Sequence, residues 1–255
     1  MRTPPRTGAW NMAIDEALLA RARNTGEIAL RVYAWSSPTL SFGRNQSALR
    51  HYDRERIRES GLNVVRRPTG GRAVIHDREV TYSVTAPASS IGTLNESCAR
   101  ISRLLKAALL ELGVDVSSAT AGGTVHGEWL GPTPCFRTPS PGELVCGGRK
   151  LVGSAQWRED GALLQHGSIL ISNDQSTIDS LLIDRGGSQS AEAPATLEAE
   201  LGRVPLGEEV VDALFNAVRN LEDPDATELT LDGSLVAAEL LARRRYEDER
   251  WTWRR

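Results

Sequence analysis

Residues 66–84 read RRPTGGRAVIHDREVTYSV, and the fold turns on how this stretch divides. LNVVRR (62–67), AVIHD (73–77) and VTYSVTA (80–86) read as strands rich in β-branched residues. Residues 66–77 gather three arginines, two adjacent glycines and a His-Asp pair. Adjacent glycines permit backbone conformations closed to other residues and let a ligand approach the main chain. Arginines close by would offer that ligand positive charge and forked donors. The turn points to an anionic or carbonyl-bearing small molecule, without saying which.

Upstream, WNMAIDEALLARAR (10–23) reads as a helix, with Asn11 as candidate N-cap and Asp15 and Glu16 near its positive end. ALRVYAWSSPTLSFG (29–43) gives two strand-like runs broken at Ser36-Ser37-Pro38. Downstream, Leu94, Cys98, Ile101, Leu105, Ala108 and Leu112 recur at helical spacing, and Gly113 is the stop signal. A loop rich in Gly, Pro and Thr runs from about Ala119 to Pro141. GELVCGGRKLVGSAQW (142–157) then predicts a hairpin turning at Gly147-Gly148, followed by a strand in ALLQHGSILI (162–171). Residues 173–206 read as irregular, with GGSQSAEAPAT (186–196) an exposed loop, before two amphipathic helices at 207–221 and 233–251. Strands and helices mix without a βαβ rhythm, so the class is α+β.

The bulk figures limit function. At 255 residues the chain can bury a sizeable core. A net charge of -3 argues against nonspecific nucleic-acid binding. No apolar run approaches the roughly 20 residues of a membrane helix, and the N-terminus lacks a signal-peptide pattern. Three cysteines without close spacing fit neither a disulfide framework nor a zinc ribbon, which suggests a reducing cytoplasm. No dinucleotide, P-loop or zinc-protease motif is present, so no metal or nucleotide site is expected.

Each candidate chemical residue has a plain reading beside a functional one. Cys98 lies on a helical apolar stripe and Cys146 beside Val145 in a strand, so both read as structural. Cys135 sits in a proline-bracketed loop with Arg137 two residues away; a nearby cation raises thiolate fraction, leaving nucleophile and structural thiol both open. Lys150 ends the hairpin turn and is either a solvated lysine or a functional one. His76-Asp77 is either a base with its orienting partner or a simple turn, since adjacent strand residues face opposite ways. His166 carries the same doubt.

Taken together, GAWNMAIDEALL, YAWSSPTLSFGRNQ, RRPTGGRAVIHDREVTYSV, GRKLVGSAQ and LLQHGSIL resemble, in order, the biotin/lipoate protein ligase and lipoyl/octanoyl transferase superfamily. The resemblance implies one class II biotin/lipoyl ligase-like catalytic domain over 1–255: a central mixed sheet, a second small sheet and flanking helices, without a large C-terminal accessory domain. CFRTPSPGELVCGGRKLVGSAQWREDGALLQHGSIL (135–170) looks like the cysteine-dependent octanoyltransferase branch. That implies Cys135 as acyl-carrying nucleophile and Lys150 as the residue holding the acyl carbonyl. It also implies an acyl site built from Arg66, Arg67, Thr69, Gly70, Gly71, Arg72, His76, Gly153, Ser154, Ala155, Gln165, His166 and Gly167. His76 and His166 are candidates for the base that deprotonates the acceptor lysine, or for shaping the pocket. The donor implied is acyl carrier protein and the acceptor a lipoyl domain such as glycine cleavage H protein, with no cofactor.

Three other readings share the motifs: an ATP- and magnesium-dependent lipoate ligase, a lipoyl amidotransferase, and a non-catalytic lipoyl-domain binding protein. Two departures stand out. MRTPPRT (1–7) replaces the family's first strand, predicting a lost strand or a late start with an altered sheet edge. Cys146 is an extra thiol expected to interfere with labelling.

Overall fold

A computed structural model describes residues 1–120, 134–172, 175–184 and 192–254. The ten strands among the described residues are β1 (Ala29–Tyr33), β2 (Thr39–Phe42), β3 (Asn63–Arg66), β4 (Val74–His76), β5 (Glu79–Pro87), β6 (Ser117–Ser118), β7 (Leu144–Cys146), β8 (Arg149–Lys150), β9 (Val152–Glu159) and β10 (Ala162–Leu170). They form a main sheet ordered β1-β5-β10-β9 and two three-stranded sheets, β3-β2-β4 and β6-β7-β8. The α+β expectation holds, with two small sheets instead of one.

The four strands of the main sheet pair antiparallel. Outside β1, the N-terminal segment adds parallel bridges, Arg2 to Val32 and Arg6 to Trp35. The edge predicted as lost is therefore occupied. Val32 N donates to Met1 O at 3.0 Å and Ser36 N to Arg6 O at 3.0 Å, while Pro4 and Pro5 have no N–H to continue the ladder.

The longer helices are α1 (Gly8–Thr25), α2 (Leu94–Glu111), α3 (Gly207–Leu221) and α4 (Gly233–Tyr246). The N-cap of helix α1 lies four residues before Asn11: it is Thr7, accepting from Trp10 N, and Gly26 closes the helix in the left-handed region. It packs between the main sheet and α4. Helices α2 and α3 cover the opposite face, around a core that includes Val84, Leu105, Leu163, Ile169 and Leu214. In α2 the buried stripe is Ser97, Ile101, Leu104, Leu105, Ala108 and Leu109, so Cys98 is exposed and not part of the core. Helix α4 breaks at Asp248, which caps a short helix Glu249–Thr252, and leaves Leu240 and Leu241 exposed. The amphipathic expectation for 233–251 is only half met.

The hairpin at Gly147-Gly148 is present, both glycines having positive φ (54° and 81°) as a two-residue turn requires. The irregular region holds short helices at Thr177–Ser180 and Leu197–Leu201. Residues 121–133 of the 119–141 loop, and 173–174 and 185–191 of the 173–206 stretch, lie outside the described residues. No helix among the described residues is long and apolar enough to cross a membrane.

Candidate active site

Strand β3 runs parallel to β2 and ends at Arg66, opposite Phe42; β4 returns antiparallel on the other side of β2. The RPTGG turn thus spans the end of β2, against Gly43. A Cβ on Gly43 would lie 1.9 Å from Gly71 O, so only glycine allows this approach.

The two arginines of the turn do different work. Arg67 lines a cleft between the sheets. Its guanidinium donates to Ser41 O and Oγ (3.1 and 3.0 Å), to Gly70 O (2.8 Å) and to Arg72 O (2.7 Å), holding the turn in shape. Arg66, expected in the acyl site, points the other way. It is fully buried and donates to the carbonyls of Gly43 (2.6 Å), Gln46 (2.8 Å), Thr252 (2.9 Å) and Arg254 (2.9 Å). Five N–H donors on a planar group suit such a cage of carbonyls. Arg66 is an architectural residue that ties the C-terminal segment under the turn. Arg72 contributes its carbonyl, and its side chain is outside the cleft lining.

Cys135 and Lys150 converge at the cleft. The Cys135 backbone N–H donates to Ala73 O at 3.2 Å, and its side chain packs with Val74, Phe136 and Leu170. Lys150 is buried, contrary to the solvated reading. Its ammonium donates to Glu143 Oε1 (2.7 Å) and Cys135 O (3.0 Å), and lies 3.4 Å from Cys135 Sγ. The cation expected beside the thiol was Arg137, but its guanidinium pairs with Asp179. Lys150 takes that place, and Glu143 supplies the balancing charge that sequence reasoning missed.

Two histidines line the same cleft, each with a carboxylate. His166 Nδ1 donates to Asp15 Oδ2 at 3.1 Å, and its Nε2 is 2.7 Å from Thr69 Oγ1. Burial works to raise the Asp15 pKa, but Arg31 at 2.7 Å, His166 and Ser83 outweigh it and hold the carboxyl below its ordinary range. Asp15 is thus no helix-end charge; it is a buried anion on the inner face of α1. A carboxylate among Met12, Leu18 and Leu19 was the signal for it.

His76 Nε2 lies 2.8 Å from Ser41 Oγ, its Nδ1 3.4 Å from Glu79 Oε1, and its ring stacks on Trp35 with centroids 3.9 Å apart. Burial pushes its pKa down, against the pull of Glu79. Asp77, the expected partner, faces away and pairs with Arg78.

The register of β5, β10 and β9 puts Ser83, His166 and Ala155 in one row, and Thr81, Ser168 and Gly153 in the next, all on the cleft face. Gly153, Ser154, Ala155 and Gly167 line the cleft. Gln165 does not: its side chain projects from the other face of β10 and donates to Tyr82 OH at 2.9 Å. A Cβ on Gly153 would lie 2.9 Å from Phe136 Cζ, and one on Gly167 2.4 Å from Gly153 O. The cleft is narrow, with a cavity volume of about 40 Å³, and opens to solvent; Met12, Tyr33, Trp35 and Val74 are among its apolar walls. Walls of that kind suit an aliphatic chain whose carbonyl end meets Cys135 and Lys150.

Residues 7–219 match the family model described as Lipoyl protein ligase A/B catalytic domain. A Kyrpidia tusciae protein named octanoyltransferase LipM is 37% identical over 271 residues, covering 100% of this chain and 98% of that protein. A Moorella thermoacetica protein of the same name is 49% identical over 168 residues, 63% of this chain and 60% of that protein. Among solved structures, lipoate-protein ligase A bound with ATP superposes with a TM-score of 0.81 at 21% identity, over 99% of this chain and 96% of that one. That likeness speaks for the fold alone.

Proposed function

The chain belongs to the lipoyl protein ligase A/B catalytic domain family, and from that premise we propose that it is a protein octanoyltransferase of lipoate biosynthesis, working through a Cys135 thioester. The observation that carries this reading is the Lys150 ammonium 3.4 Å from Cys135 Sγ, at a cleft with apolar walls. The full-length similarity to a protein named octanoyltransferase LipM supports the acyl group.

In the first half-reaction the Cys135 sulfur attacks the thioester carbonyl of octanoyl-acyl carrier protein. The tetrahedral oxyanion is stabilised by the Lys150 N–H donors, already aimed at the Cys135 backbone and sulfur. The carrier thiol leaves with a proton, and octanoyl-Cys135 remains. One thioester replaces another, so the exchange is close to balanced and requires no ATP. In the second half-reaction the deprotonated amine of a lipoyl-domain lysine attacks the same carbonyl. The new C–N bond forms, the C–S bond breaks, and the proton the amine sheds passes to the departing sulfur, restoring the Cys135 thiol. Amide formation drives the sequence forward.

The test is intact mass after mixing the protein with octanoyl-acyl carrier protein without ATP, for the native chain and Cys135→Ser. A single octanoyl gain, labile to hydroxylamine and absent from the serine variant, supports the reading. No adduct without ATP, and an acyl-adenylate once ATP and lipoate are added, would replace it with a ligase. Transfer from an octanoylated lipoyl domain but not from the carrier would make the enzyme an amidotransferase.

A further inference from the structure

Asp15, His166 and Thr69 form a bonded chain that reaches from α1 through the main sheet to the RPTGG turn. Asp15 accepts from four side chains: Arg31 Nη1 at 2.7 Å, Ser83 Oγ at 2.8 Å, Tyr33 OH at 2.9 Å and His166 Nδ1 at 3.1 Å. An ionised carboxylate only accepts, so the proton of the Asp15–His166 contact belongs to Nδ1. In the neutral ring, Nε2 is then left as an acceptor, and the Thr69 hydroxyl at 2.7 Å must donate to it. The direction of each bond follows from the one before.

The turn has other anchors, but they lie on its own side of the cleft. Arg67 ties it to Ser41 of β2, Gly71 rests against Gly43, and the Thr69 carbonyl accepts from Arg44 N. The Thr69 hydroxyl reaches across to β10 of the main sheet, two residues beyond Ser168 and four beyond Leu170, which packs on Cys135. A Cβ on Gly153, which pairs with Ser168, would lie 3.2 Å from Lys150 Cε, so the crossing at His166 lies two strand residues, about 7 Å, along the cleft from there.

We propose that Asp15 is a positioning residue for acyl binding: by fixing His166 as the Nδ1-protonated tautomer, it makes Nε2 the acceptor that pins Thr69 and sets the width of the acyl cleft. This deepens the octanoyltransferase reading and rests on it for its kinetic consequence. The tautomer itself does not depend on that reading.

The experiment pairs kinetics with nitrogen-15 NMR of the histidine rings, His166 being assigned by its loss in His166→Gln. The native protein is expected to show His166 protonated at Nδ1 and bare at Nε2. Thr69→Val removes only the hydroxyl, leaving Asp15 and Arg31 paired. It should raise KM for octanoyl-acyl carrier protein about tenfold, the scale of one buried hydrogen bond lost and its partner left bare, with kcat within about twofold. Thr69→Ser should restore KM. Asp15→Asn should move the ring proton to Nε2; where that variant does not fold, the threonine pair decides. A native His166 protonated at Nε2 or at both nitrogens, or an unchanged KM in Thr69→Val, overturns the proposal. If the native chain forms no octanoyl adduct at all, the octanoyltransferase reading fails, and the His166 tautomer alone decides the present one.

Discussion

Lys150 meets Cys135 together with its own carboxylate: its ammonium lies 2.7 Å from Glu143 Oε1 and 3.4 Å from Cys135 Sγ. The two residues come from different segments, a proline-rich loop and a hairpin, and Glu143 joins Lys150 from the start of that hairpin. Glu143→Gln should leave a buried ammonium without its counter-charge. The expected cost is about 3 kcal/mol of stability, read by urea unfolding, together with an acylation rate about ten- to a hundredfold slower. A variant of native stability and native rate would mean Glu143 is incidental.

The two cleft glycines in β9 and β10 should differ under alanine substitution. At Gly153 the new methyl meets the far edge of the Phe136 ring at 2.9 Å, a side chain that can tilt. At Gly167 it meets the Gly153 carbonyl at 2.4 Å, backbone inside a paired strand. Gly153→Ala should cost about 1–3 kcal/mol, and Gly167→Ala more, disrupting the β9–β10 pairing. Thermal melting of both variants checks the order; the reverse ranking would show that the strands separate more readily than the ring moves.

His76 makes stability fall on the acid side. Its folded-state pKa lies below the ordinary 6.5, chiefly through burial, with Glu79 opposing and Arg67 and His166 assisting. The unfolded chain therefore binds the proton more readily. The stability linked to this ring is complete above the unfolded pKa and is lost as pH drops through the folded value. Urea titrations from about pH 7.5 to about pH 5 should show a shallower decline for His76→Gln than for the native chain. Parallel slopes would assign the acid limb to other groups.

Thiol labelling should distinguish the three cysteines differently from their sequence contexts. Burial pushes the Cys146 pKa up to about 11, with Glu200 and Asp115 adding to it, so this thiol should resist iodoacetamide until the protein unfolds. Cys98, exposed on α2, is the one that competes with Cys135 for reagent. Peptide mapping after brief alkylation at neutral pH should find Cys98 and Cys135 modified and Cys146 intact. Early modification of Cys146 would contradict its packing.

Much of this architecture was legible because its signals are local. Runs of β-branched residues located β3 to β5, and helical spacing ending at Gly113 located α2. The errors arose where a residue's partner is remote in sequence. Arg66 and Arg67 are neighbours in one motif, yet the first serves the C-terminal segment and the second the cleft, and adjacency cannot tell them apart. Asp15 near a helix start read as a dipole charge, although its partners are Arg31, Ser83 and His166. Cys98 and Ser97 differ by one helical step, and only packing against α3 decides which faces inward. Glu143 and Lys150 became a pair only once the hairpin had closed.

A growing polypeptide completes β2, β3 and the acyl turn long before it contains Thr252 and Arg254, 186 and 188 residues beyond Arg66. Until those residues exist, the Arg66 guanidinium lacks half of its carbonyl cage, and burying it bare is costly. Contacts of such range form late. The foundation of the turn is therefore the last part to be made, so a half-synthesised chain has no finished cleft, and the turn takes its final surroundings only in the assembled protein.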